Sequence, residues 1–176
     1  DCEKETPMNR LLEGDVGSGK TVVAALAMLN CALNNAQAVL MAPTEIVARQ
    51  HFQSFKELLS NKKSSSVPIA LLTRSEHRLS HKNKTFTKQE VIDTIADGTA
   101  KIIIGTHALI QDSVSFSDIR LTIIDEQHRF GVDQRKTLKS KADEMPPHFL
   151  SMTATPIPRS LALTVYGDLD ISVIKE

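Results

Sequence analysis

The stretch Gly14-Asp15-Val16-Gly17-Ser18-Gly19-Lys20-Thr21 constrains the fold of this chain more than any other feature. A short apolar run precedes it at residues 10–13, and a stretch rich in Ala and Leu follows at 21–34. A chain that passes from strand to helix this way must turn tightly, and glycine takes the required backbone angles without a Cβ penalty. The turn's N–H groups then face inward, and the new helix adds the positive end of its dipole. The spacing fits G-x-x-x-x-G-K-[ST] at each fixed position, a pattern whose backbone cradles phosphates. Lys20 supplies a point charge for the outer phosphates. Thr21 supplies a hydroxyl suited to Mg2+. A chance glycine turn before a helix gives no reason for Lys20 and Thr21 at this spacing.

Further apolar runs follow at 38–42, 68–72, 101–105, 121–125, 148–153 and 171–174, alternating with longer stretches of helical period. Consecutive apolar positions signal strands covered on both faces. Helices are predicted at 21–34, 45–59, 88–96 and 134–142, with Ile46, Phe52, Phe55 and Leu59 on one stripe of the second. The alternation predicts an α/β fold in three layers, with a mainly parallel central sheet of about seven strands and right-handed crossovers. Residues 61–87 break the rhythm. Residues 61–66 form a polar loop, and from 74 to 88 the bases Arg74, Arg78, Lys82, Lys84 and Lys88 face a single acid, Glu76. That basic segment is either a solvated excursion or a phosphate-contacting loop.

The 176 residues fit one domain. Lys+Arg and Asp+Glu are both 21, so the net charge is zero. Bulk positive charge therefore cannot coat nucleic acid, and any such contact must come from a local patch. Cys2 and Cys31 form no CxxC pair and read as reduced thiols, with Cys31 on a buried helix face. The longest apolar run, 22–29, is far short of the ~20 residues of a membrane span. The acidic start is not a signal peptide. The expected setting is cytoplasmic, and the chain reads as a piece of a longer protein.

Two further constellations carry chemistry. Leu121-Thr122-Ile123-Ile124 runs into Asp125 and Glu126. Beside a phosphate-binding turn, a strand-end acid such as Asp125 holds Mg2+, and Glu126 is placed to accept a proton from an attacking water. Ser151-Met152-Thr153-Ala154-Thr155-Pro156 puts hydroxyls at another strand end; alone, that is equally an ordinary strand exit. Pro43-Thr44 and Thr106-His107 also lie just past strand ends. Open α/β sheets bind ligands along their carboxyl edge, so all five groups should share one edge.

Taken in order, GDVGSGKT, APTEIVARQH, GTHALI, IIDEQHRFG and TATPIPR resemble motifs I, Ia, Ib, II and III of the superfamily-2 helicases. Their wording is similar to the RecG family, bacterial ATP-dependent DNA helicases that remodel stalled forks and recombination intermediates. Transcription-repair coupling factors are similar but read GDVGFGKT and DEEHRFGV, so Ser18 and Gln127 favour the RecG family. The resemblance implies that residues 1–176 are one RecA-like P-loop NTPase domain using ATP and Mg2+, monomeric, bound to DNA and not to membrane. It assigns Gly17, Ser18, Gly19, Lys20 and Thr21 to ATP, Thr21 and Asp125 to the metal, and Lys20 and Glu126 to catalysis. It assigns His128, Thr153 and Thr155 to coupling hydrolysis with DNA movement. Thr44, Gln50 and Thr106 would touch the DNA backbone, which positions a strand without reading its sequence. Arg74 stands where relatives often carry glycine, and either adds a phosphate contact or blocks a close approach. The resemblance also implies a second helicase lobe, an adenine-recognising segment and a wedge domain, none of them among these residues. Arginines from that lobe are worth roughly 10³–10⁵ in turnover. The domain alone is therefore expected to bind nucleotide weakly and be nearly inactive. A phosphate-transferring kinase or a transport ATPase is the other class, but it leaves His128 and the Thr153–Thr155 segment without a role.

Overall fold

The computed structural model describes residues 6–59, 67–80, 86–126, 146–155 and 169–174. Strands β1 (Asn9–Glu13), β2 (Gln37–Met41), β3 (Ile69–Leu72), β4 (His77–Leu79), β5 (Ile102–Gly105), β6 (Ile119–Asp125), β7 (His148–Thr153) and β8 (Asp170–Val173) form one sheet. Helices α1 (Lys20–Leu33), α2 (Glu45–Leu58) and α3 (Lys88–Ala96) connect them. The strand order is β4-β3-β5-β2-β6-β7-β1-β8. Each pairing is parallel except β3 with β4.

The period of two in each strand sorts its side chains between two cores. In β2, Ala38 and Leu40 join Met28 of α1 and Phe52 and Phe55 of α2. Val39 and Met41 join Val91 and Ile95 of α3 on the opposite face. Chain direction explains the layers. The parallel connections β1–α1–β2 and β2–α2–β3 advance the same way along the sheet, whereas the one from β3 through β4 and α3 to β5 returns. Crossovers of one hand must then put α3 opposite α1 and α2. The expected three-layer α/β class holds.

Three expectations need correction. Among the described residues there are eight strands, not about seven. β4 was read as part of an irregular excursion because His77-Arg78-Leu79 has no apolar run; its ladder to β3 makes it a strand. Ile46 is 66% exposed, not on the buried stripe of α2. That stripe is Ala48, His51, Phe52 and Phe55, and at 3.6 residues per turn Ile46 falls on roughly the opposite side. Last, β8 is an edge strand with Val173 exposed, not covered on both faces. The helix expected at 134–142, and Lys82 and Lys84, lie outside the described residues. Cys31 is buried as expected.

Candidate functional site

The glycine turn leaves β1 at Glu13, and its first residue is tied to β7: Gly14 N donates to Thr153 O at 3.3 Å. Gly17 (φ 88°) and Gly19 (φ 95°) are both left-handed. An L side chain there costs roughly 1–2 kcal/mol. A Cβ built on either meets no atom within 4 Å, so the backbone angle and access to the inner lip select glycine, not crowding. Gly14 has less room, since a Cβ would lie 2.5 Å from Ser18 Oγ, which must rotate, and 3.3 Å from Ile174 Cβ. Ser18 Oγ is buried with no hydrogen-bond partner among the described residues. Lys20 Nζ donates to the carbonyls of Gly14 and, at 2.8 Å, Asp15. Gly19 is the N-cap of α1 and offers no side-chain cap, leaving first-turn N–H groups for a ligand.

Asp125 ends β6, and Glu126 turns out of the strand at φ 52°, with its N–H donating to Met152 O at 2.9 Å. A bulky residue in this region is strained by about 1–3 kcal/mol, so neighbouring structure must hold it. His51 Nε2 donates to Asp125 Oδ2 at 2.7 Å. In register, Asp125 pairs with Met152, and the next residue of β7, Thr153, pairs with Glu13 of β1. Two strand spacings, roughly 10 Å, therefore separate the acid from the glycine turn. Between them the Thr153 and Thr155 hydroxyls meet at 3.0 Å, and Thr155 N donates to Thr153 Oγ1 at 3.1 Å.

The same edge continues past β2, β5 and β3. Thr44 caps α2, its hydroxyl accepting from Val47 N at 3.3 Å. Thr44 and Gln50 are exposed, while Thr106, at the end of β5, is buried. Glu45 accepts from Ser75 N at 3.1 Å and from its hydroxyl, which holds the Glu45 carboxyl below the usual range. Arg49 pairs with Glu76, as does Arg78 at 3.0 Å. The groups expected on one edge do follow the carboxyl ends of β1, β2, β5, β6 and β7. Gln127 and His128 lie outside the described residues.

The sequence assigns no role to the buried polar residues Gln37 and His51. Gln37 stitches the far end of β2, donating to Ile95 O and Ala100 O at 2.8 Å each. His51 stood inside a quoted motif without a role. The one signal for it is a polar residue on the apolar stripe of α2.

The family model of the DEAD/DEAH box helicases matches residues 4–164. The chain belongs to the DEAD/DEAH box helicase family. This helicase domain is 54% identical over 176 residues to the ATP-dependent DNA helicase RecG of Streptococcus pneumoniae, covering 100% of the chain and 24% of that protein. It is 52% identical to the RecG of Bacillus subtilis, covering 96% of the chain and 23% of the relative. The chain thus spans about a quarter of the length of these curated relatives. A solved RecG bound to a three-way DNA junction superposes with a TM-score of 0.78 at 41% identity, over 99% of this chain and 22% of that one. The Saccharomyces cerevisiae Dbp5 structure shares the fold at a TM-score of 0.66 and 18% identity, over 99% of this chain and 44% of its own.

Proposed function

We propose that this domain is the nucleotide-holding lobe of a RecG-type helicase, which uses ATP·Mg2+ to move on branched DNA. The observation that carries the reading is the adjacency of β1, β7 and β6: the glycine turn, the Thr153–Thr155 hydroxyls and the two acids end neighbouring parallel strands. The donor set fits the ligand. Two left-handed glycines, an uncapped helix start, a lysine ammonium and a buried unpartnered hydroxyl suit a polyphosphate. One hydroxyl and one carboxylate suit Mg2+, which takes few protein ligands beside substrate phosphates. Bound there, Mg2+ would neutralise charge developing on the phosphates.

In this reading Lys20 Nζ exchanges the Gly14 and Asp15 carbonyls for phosphate oxygens. Thr21 and Asp125 hold the metal. Glu126, turned out of β6, accepts the proton of the attacking water. Thr153, bonded through its backbone to Gly14, carries changes at the phosphates along β7. Thr44, Gln50 and Thr106 belong to the DNA half of the edge; exposed Thr44 and Gln50 are the direct contacts, and buried Thr106 shapes the turn beside them. His128 adds to the coupling. A second lobe, outside these residues, completes the charge stabilisation. The relatives' identity supports a branched-DNA helicase over a transcription-repair translocase.

The test is ATP hydrolysis by the full-length protein with and without forked DNA. Stimulation by the fork is expected. Hydrolysis indifferent to DNA, or a phosphorylated product other than phosphate, contradicts the reading.

A further inference from the structure

The carboxyl edge divides into a nucleotide half at β6, β7 and β1 and a DNA half at β2, β5 and β3. One described side-chain hydrogen bond joins helix α2, on the DNA half, to the metal carboxylate: His51 Nε2 to Asp125 Oδ2 at 2.7 Å. We propose that His51 is a positioning residue that orients Asp125 for Mg2+ and transmits displacement of α2 to the metal site. This inference rests on the proposed function above.

Burial is the first argument. The side chains of His51 and Asp125 are 10% and 13% exposed, so the bond is shielded from water. A polar group on a buried stripe is costly unless paired, and packing alone would be served by an apolar residue. Orientation is the second. The Phe55 ring, one turn along α2, meets the imidazole edge to face at 6.2 Å and 84°. Phe55 is itself fully buried, so the imidazole is held at a fixed tilt. His51 occupies Oδ2; Oδ1 carries no bond to a described residue. Carboxylates that ligate metals are themselves held by hydrogen bonds, and loss of such a partner typically weakens metal binding about 10–100-fold.

The third argument is stiffness. Thr44 caps α2, Ser75 anchors Glu45 in its first turn, and Glu76 anchors Arg49 in its second. Gln50, the exposed residue assigned to the DNA backbone, immediately precedes His51. A strand that shifts α2 therefore shifts Nε2 against Asp125 with no loop between them. By linkage, metal–nucleotide binding must act back on DNA affinity by the same factor.

The experiment compares the full-length parent with His51→Ala, His51→Asn and His51→Gln. A glutamine amide reaches about as far as imidazole Nε2; an asparagine amide stops one methylene short. Mn2+ binding in the presence of a non-hydrolysable ATP analogue is read by electron paramagnetic resonance, with and without forked DNA. Mn2+ affinity should fall about tenfold or more in the Ala and Asn variants and recover in Gln. Forked DNA should tighten Mn2+ binding in the parent and in Gln, and leave it unchanged in Asn. Asn and Gln that behave alike, whether both like the parent or both impaired, overturn the positioning role. DNA tightening preserved in Asn overturns the transmission. Should His51→Ala fail to fold, the Asn and Gln pair still decides. A parent whose hydrolysis ignores DNA defeats the functional assignment, while the Mn2+ comparison still judges the His51–Asp125 bond.

Discussion

The proposed function gives the adjacent carboxylates Asp125 and Glu126 different tasks, and the backbone separates them. Asp125 ends β6 in extended conformation, while Glu126 sits at φ 52°, held by its N–H on Met152 O. Glutamine has nearly the same shape and the same backbone tolerance but cannot take a proton from water. Glu126→Gln in the full-length protein is therefore expected to lower kcat about 10²–10⁴-fold while keeping nucleotide binding. Phosphate release set against fluorescent-nucleotide titration separates the two. His148 invites a pH argument. Its Nδ1 accepts from Met8 N at 2.9 Å, which demands the unprotonated form. Burial, above all, pushes its pKa below 6.5, and the Arg120 charge acts in the same direction. The unfolded chain thus takes up the proton first, so the contribution is complete above that value and is lost as pH falls below it. Hydrogen-exchange protection at the Met8 amide should decline as pH falls below 6.5, and His148→Gln should flatten the decline. Glu45 works in a lower window: its carboxyl is depressed from 4.5, so its contribution persists until pH falls below that.

At the scale of elements, Gly105 shows what a strand end requires. It closes β5 between β2 and β3, and a Cβ there would collide with the Leu72 carbonyl and crowd Leu109. Backbone cannot yield as a flexible side chain can. Gly105→Ala should destabilise the domain by about 1–3 kcal/mol, read as a lower urea midpoint. At Asn35, just past α1, φ is 62°, and Ala36 N–Cys31 O and Asn35 N–Ala32 O bonds close the helix. Asn35→Ala should cost roughly 1–2 kcal/mol, because Ala lacks asparagine's tolerance of that conformation. These elements also show what was legible. β1, β2, β3, β5, β6 and β7 were readable to within a residue or two, because buried parallel strands are near-continuous apolar runs; β8 was placed equally well, though its expected burial on both faces was not met. β4 was not, because pairing with β3 creates it, not composition. Ile46 was misread because an apolar residue at a helix start need not face the core. The motif residues were legible from spacing; the His51–Asp125 bond was not, since its partners are 74 positions apart and meet only once β2 lies beside β6.

Across the whole molecule, 21 basic residues balance 21 acidic ones, so any hold on DNA must come from local arrangement. The half of the edge proposed for DNA already neutralises some of its charge internally: Arg49 and Arg78 share Glu76. Arg74 is different. It is exposed just beyond β3, and its guanidinium has no ion-pair partner among the described residues. It therefore offers an un-neutralised charge next to Ser75, which anchors the first turn of α2. If Arg74 touches a phosphate, its removal releases one fewer counterion. The slope of log affinity against log salt should then become shallower by about 0.7 on single strands or about 0.9 on duplex. Arg74→Ala in the full-length protein, titrated with forked DNA over a range of salt, reads that slope directly. Nucleotide affinity should not change, because β3 lies three strands from β6 and the glycine turn is farther still. An unchanged slope with tighter binding would mean that the side chain at position 74 obstructs a strand that a smaller residue admits.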